Sequence, residues 1–177
     1  YIGNGVVVDA GSLIAEMSQL KSLGFDVAPR LFISNRTKLV SYLHPFLDQA
    51  DEHRRSKSKD KLGTKIGTTN RGIGPAYSDV RARRAFLMGD ILSSDFKQKE
   101  VILSEFHMNL LNMYKDKYGF EIDLEKIKEA KEKWWSSINK IKKLQICDLS
   151  FLIQTRLKAG KNILAEGAQA VMLDIDF

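Results

Sequence analysis

The sequence predicts an α/β fold: part of a mostly parallel sheet with crossover helices, joined to a helical subdomain over 92–160. Three observations predict it. An apolar run, Gly5-Val-Val-Val-Asp9, is followed by a helical period and then by a second apolar run, Arg30-Leu-Phe-Ile-Ser34. Strand, helix, strand in so short a span implies a parallel pair with a crossover. Two long amphipathic periods follow residue 92. Finally, Asn162-Ile-Leu-Ala-Glu-Gly167 reads as a buried strand, with a glutamine and two aspartates just past its end. Open α/β sheets place ligands at such strand ends.

Taken in order, Asp9 suits a helix N-cap. Leu13, Met17 and Leu20 recur at helical spacing, so a helix is expected to about Leu23, with Gly24 ending it. Gly3-Asn-Gly5 precedes a strand rather than following one, so it is not a dinucleotide fingerprint. After Ser34 the pattern turns helical through Leu39, Tyr42 and Leu43, and Pro45 breaks or restarts that helix. Arg54 to Leu62 is charged and aperiodic, which fits a solvated linker or a phosphate-attracting arm.

Next comes Lys65-Ile-Gly-Thr-Thr-Asn-Arg-Gly-Ile-Gly-Pro-Ala-Tyr77, continuing into Arg81-Ala-Arg-Arg84. Glycines let a backbone approach a ligand closely. Threonine hydroxyls and free amides donate to phosphate oxygens, and arginine forks onto them. The stretch reads as an anion-binding loop, or as a turn-rich connector before a basic helix. Beyond it, Phe96, Leu103, Phe106, Leu110 and Met113 trace one helical stripe between Asp95 and Gly119. A second, capped by Asp123, runs through Leu124, Ile127, Trp134, Ile138 and Ile141, which makes Trp134 a core residue rather than a stacking platform. Together they suggest a helical hairpin or subdomain; neither lasts long enough for a coiled coil. A third helix is expected from Asp148 to Lys158, ending at Gly160.

Composition narrows the function classes. Apolar residues make up 44% of the 177, enough for a real core. No apolar run is long enough for a membrane helix. The single Cys147 excludes an internal disulfide and fits a reducing compartment. His44, His53 and His107 show no metal-ligand spacing, so each is expected to be an ordinary histidine and no metal site is predicted. The net charge of +6 and pI of 9.3 would suit nucleic acid. The lysines between Lys115 and Lys143, however, alternate with acids as on a solvated helix face. The chain starts at Tyr1 without a signal-peptide pattern, so it is expected to be a piece of a longer one.

Three separated motifs then converge. Ile2-Gly-Asn-Gly-Val-Val-Val-Asp9, the stretch Ile66–Tyr77 with Ala82-Arg-Arg84 and Gly89-Asp90, and Glu166-Gly-Ala-Gln with Leu173-Asp-Ile-Asp176 resemble, in this order, the adenylosuccinate synthetase family. The resemblance runs end to end and makes the chain a middle portion, an internal piece (1–177) of one larger α/β catalytic domain with a P-loop NTPase-like synthetase fold. It implies GTP- and magnesium-dependent ligation of IMP and L-aspartate in AMP biosynthesis, by a cytoplasmic homodimer that binds neither nucleic acid nor membrane. The γ-phosphate passes to the purine 6-oxygen, and the aspartate amine then displaces it. Carried over by position, Thr69 holds the IMP 5′-phosphate and Arg83 reaches that of the neighbouring subunit's nucleotide. Gln169 lies near the purine 6-position. Arg71 and Arg81 are accessory phosphate contacts. The resemblance places the catalytic aspartate and histidine, and the magnesium contact, before Tyr1. It places the aspartate loop and guanine recognition after Phe177. Val80 stands where the family has a lysine and Leu87 where it often has arginine, with Arg81 a partial substitute. A non-enzymatic nucleotide- or RNA-binding module and a degenerate family member are the alternatives.

Overall fold

The computed structural model describes residues 1–57 and 65–167. Strand β1 (Val7–Val8) leads to helix α1 (Ala10–Ser22), capped as expected: the Asp9 carboxylate accepts from the Ser12 amide at 2.7 Å. Gly24, at φ 89°, carries the chain away from the helix end. Strand β2 (Phe32–Ser34) follows.

β1 and β2 do not pair. β1 lies parallel to β3 (Lys38–Leu39), and β4 (Phe86–Leu87) runs antiparallel on the other side of β3. β2 pairs in parallel with β5 (Gln145–Cys147) in a separate ladder. The expected crossover pair is thus corrected. The N-terminal segment serves both ladders: Ile2 bridges Ile33 in parallel, and five residues later Val7 meets Lys38. Residues 38–39, expected to be helical, are strand. Leu39 and Val40 are each 1% exposed, and the Lys38 amide donates to the Val6 carbonyl at 3.1 Å. A buried strand residue followed by the entry to a helix leaves apolar residues at the same spacing as a helix face, which is why the pattern misled.

The helix itself, α2, runs His44–Lys57, with Pro45 in its first turn, where a missing amide hydrogen costs nothing. Arg54 and Arg55 belong to its last turn and pair with Asp51. The glycine stretch feeds helix α3 (Ile73–Arg81), so the basic run 81–84 closes a helix rather than forming one.

α4 (Phe96–Tyr118) and α5 (Leu124–Ile141) form with the expected ends: Gly119 is left-handed at φ 70°, and Asp123 caps the Lys126 amide at 3.0 Å. The stripe on α4 differs from expectation. Its buried face runs through Phe96, Glu100, Leu103, His107 and Leu111, whereas Met113 is 43% exposed. Two polar residues lie inward because each has partners. Glu100 accepts from the Tyr42 hydroxyl (2.9 Å) and pairs with Lys131, and His107 meets Asp79. α4 packs on α2 and α5 on α1. α4 and α5 touch where Phe96 stacks with Trp134, whose indole nitrogen donates to the Val40 carbonyl at 2.7 Å. α6 (Leu149–Lys158) is capped by Asp148, and Gly160 follows its end. The expected strand at 162–167 does not form. Leu164 is 97% exposed, and no described strand lies beside it to complete a ladder.

Candidate anion-binding site

The site is built around α3, which carries the glycine stretch at one end and the arginines at the other. Entry into α3 needs Gly72. Its φ is 75°, and a Cβ there would lie 2.5 Å from the backbone carbon of His44. The Gly72 amide donates to Asp48 Oδ2 at 3.0 Å. Within α3, the Tyr77 hydroxyl donates to the Gly5 carbonyl at 3.0 Å, which joins the first and second motifs of the sequence.

The loop before α3 is braced from α2 by two carboxylates one helical turn apart. Glu52 accepts from the amides of Ile66 (3.0 Å) and Gly67 (3.1 Å). Asp48 accepts from the Thr68 hydroxyl at 2.9 Å as well as from Gly72. Loop donors that would suit a phosphate are thus partly engaged by the protein's own anions. Thr69 is left exposed, and among the described residues no hydrogen bond engages its hydroxyl or its amide. Arg71 is exposed beside it, and Asn70 adopts φ 54°, a left-handed turn that asparagine tolerates.

At the far end, Arg81 and Arg83 are both exposed. Arg83 has φ 60°, left-handed without being glycine. Nine helical residues separate the two ends, roughly 14 Å of axis, so Thr69 and Arg83 address different points in space. Val80 is half-buried on α3, and Leu87 sits in β4, paired with Lys38. Gln169 lies outside the described residues.

Behind α3 lies a cluster that sequence reasoning missed. Asp79, 3% exposed, faces two fully buried histidines. His44 Nδ1 accepts from the Ser41 amide (3.0 Å), which puts the ring proton on Nε2, and that proton is donated to Asp79 Oδ2 at 3.0 Å. His107 Nε2 meets the same oxygen at 2.7 Å, and Arg84 Nε donates to Oδ1 at 2.7 Å. Burial pushes the Asp79 carboxyl up, but the hydrogen bonds from His107 and His44 outweigh it and hold the group below the ordinary carboxylate range. Burial lowers the pKa of His44, so its ring stays neutral. The three ligand atoms lie close enough to surround a cation. The tautomer argues for hydrogen bonding instead, since a metal on His44 Nε2 would have to expel the proton that Ser41 places there. The histidines, expected to be unrelated, are therefore brought together, with ring centroids 4.9 Å apart. His53 is separate and meets the Tyr118 carbonyl at 3.0 Å. One signal was available beforehand: Asp48 and Glu52 stand four apart, on one helix face. Nothing local marks His44, Asp79 and His107 as neighbours.

A groove of about 490 Å3 beside Tyr42, Met108 and Lys131 contains none of the predicted site residues.

The family model of adenylosuccinate synthetase matches residues 1–177. Adenylosuccinate synthetases of Porphyromonas gingivalis and Phytophthora infestans are 36% and 42% identical to the chain over 99% of its length. The chain covers 38% and 29% of those two proteins. The solved structure of fully ligated adenylosuccinate synthetase from Plasmodium falciparum superposes with a TM-score of 0.75 at 34% identity, covering 99% of the chain and 38% of that protein. The chain thus spans well under half the length of the relatives it matches.

Proposed function

The chain belongs to the adenylosuccinate synthetase family, and from that premise we propose that it is an internal part of the α/β catalytic domain of a GTP-dependent ligase, with the helical part over 92–160. The whole protein joins IMP to L-aspartate. The γ-phosphate of GTP moves to the purine 6-oxygen, which turns a poor leaving group into a good one. The aspartate amine then attacks the 6-carbon, and phosphate leaves with that oxygen. Phosphoryl transfer of this kind asks the protein mainly for positioning and charge neutralisation.

This chain supplies part of that positioning. Thr69 offers its hydroxyl and amide to the IMP 5′-phosphate, with Arg71 and Arg81 as accessory cations. Arg83 serves the 5′-phosphate of the nucleotide in the partner subunit of a homodimer. Gln169 donates near the purine 6-position, where negative charge develops. The observation that carries the reading is the family match over the whole chain. The geometry supports the division of labour, because Thr69 and Arg83 lie at opposite ends of α3, both exposed.

Magnesium does not fit the described residues. It asks for near-octahedral oxygen ligands, and Asp48 and Glu52 spend theirs on the loop. We place the magnesium contact and most GTP contacts on other parts of the protein. None of the helices among the described residues is long and apolar enough to cross a membrane; the cytoplasmic location and the absence of membrane and nucleic-acid partners are proposed from the family membership.

The test is an assay of the full-length protein for GTP-dependent formation of adenylosuccinate. Thr69→Ala should raise the IMP KM about tenfold, the worth of a hydrogen bond to a charged group. A full-length protein that makes no adenylosuccinate overturns the reading.

A further inference from the structure

The turn after α3 contains an anomaly. The Arg83 amide donates to the Val80 carbonyl at 3.1 Å and the Arg84 amide to the Asp79 carbonyl at 3.0 Å. This is the paired-bond helix stop in which the left-handed position is ordinarily glycine. Here that position is Arg83, at φ 60°. A side chain in a disfavoured backbone region persists only where its surroundings over-determine it, and such positions concentrate at functional sites.

The surroundings are visible. Asp79 lies four residues before Arg83 and contributes twice to the turn. Its carbonyl accepts from the Arg84 backbone, and its carboxylate accepts from the Arg84 side chain at 2.7 Å. The carboxylate cannot swing away, because His44 from α2 and His107 from α4 both hold its other oxygen. Arg84 is gripped on its far face by Phe106, whose ring centre lies 4.1 Å from the guanidinium carbon. With Asp79 and Arg84 fixed on either side, Arg83 points outward from a rigid turn, and its reach is set by the core rather than by its own conformational preference.

We propose that Asp79, oriented by His44 and His107 and acting through Arg84, is a positioning residue that presents Arg83 to the nucleotide phosphate. This rests on the phosphate-binding reading of Arg83 above. Asp79 touches no substrate. Its role is to lower the conformational cost of binding by pre-organising the one arginine that must project from the subunit.

The experiment is steady-state kinetics of the full-length protein carrying Arg83→Ala, Asp79→Asn or Arg84→Ala. Arg84→Ala keeps Asp79 and its bonds to both histidines, so it decides the matter if Asp79→Asn fails to fold. Expected is a rise of tenfold or more in the IMP KM for all three variants. For Asp79→Asn and Arg84→Ala, kcat should stay within threefold, and the KM for GTP and for aspartate within twofold. Loss of active enzyme alone would lower kcat and leave every KM in place, and that result overturns the proposal. So does an IMP KM within twofold of the parent for Asp79→Asn and Arg84→Ala when Arg83→Ala raises it. An unchanged IMP KM in Arg83→Ala removes the phosphate-binding reading itself, and this proposal with it.

Discussion

Arg83 occupies the position where helices most often turn on glycine, and that has a testable consequence. Left-handed backbone costs a side chain roughly 1–2 kcal/mol, while glycine loses about 0.5–1 kcal/mol in entropy on ordering. Arg83→Gly in the full-length protein should therefore leave unfolding free energy within about 1 kcal/mol of the parent, while the IMP KM rises. Denaturant unfolding and kinetics on the same sample check both halves. Gly72 is the opposite case. It is left-handed, and a Cβ would meet the backbone of His44 and Pro45 at about 2.5 Å. Gly72→Ala should cost about 2–4 kcal/mol from strain and overpacking together, read by denaturant unfolding. At Val80, where the family motif has a cation, the neighbouring Arg81 is exposed, and we propose that it compensates in part. Arg81→Ala should raise the IMP KM about threefold, which is less than one hydrogen bond to a charged group. An unchanged value would show that Arg81 does not substitute.

Among the elements, α2 does more than its sequence suggests. Its polar face turns Asp48 and Glu52 toward the loop and accepts four of the loop's donors. The brace is electrostatic, so a neutral isostere should loosen it. Glu52→Gln is expected to speed amide hydrogen exchange at Ile66 and Gly67 at least tenfold, about 1.4 kcal/mol or more of lost protection. Unchanged exchange at both would show that the loop holds its shape without α2. Helix ends were legible because caps are local chemistry: Asp9, Asp123 and Asp148 each accept from an amide three residues on. The inward face of α4 was not legible, because Glu100 and His107 are buried only by virtue of partners on α2, α3 and α5, far away in sequence.

For the molecule as a whole, the buried cluster ties stability to pH. Native His44 has a lowered pKa, held neutral by burial, whereas the unfolded chain takes up a proton near the ordinary histidine value of about 6.5. Below that value the unfolded state binds more protons, so stability falls with pH. Native Asp79 resists protonation, so its contribution is present above the unfolded carboxylate value of about 3.9 and is lost as pH falls further toward the native pKa. The two windows have the same sign. Comparing full-length parent with His44→Gln, the loss of stability between pH 7 and 5 should be shallower in the variant by up to about 1.4 kcal/mol per pH unit. Parallel curves would show that His44 does not titrate differently on folding. The chain covers 38% of the Porphyromonas gingivalis relative, so the isolated 177 residues should form no adenylosuccinate, and detectable GTP-dependent product would refute the division of the site proposed above.

What the sequence determined by itself is whatever is written in contiguous residues. The helix caps, the glycine stops at Gly24, Gly119 and Gly160, the loop from Lys65 to Tyr77, and the three ordered motifs that mark the family were all readable without a structure. The tertiary structure alone decided which strands pair, which acids brace the loop, and that two histidines separated by 63 positions share one aspartate oxygen. The reason is physical. Caps and turns are set by hydrogen bonds within a few residues, whereas a buried polar cluster is stable only when distant segments satisfy one another. The Lys65–Arg84 stretch shows both. Its composition reads as an anion-binding loop or a turn-rich connector, but the turn at Arg83 is held by Asp79, whose partners are supplied by α2 and α4.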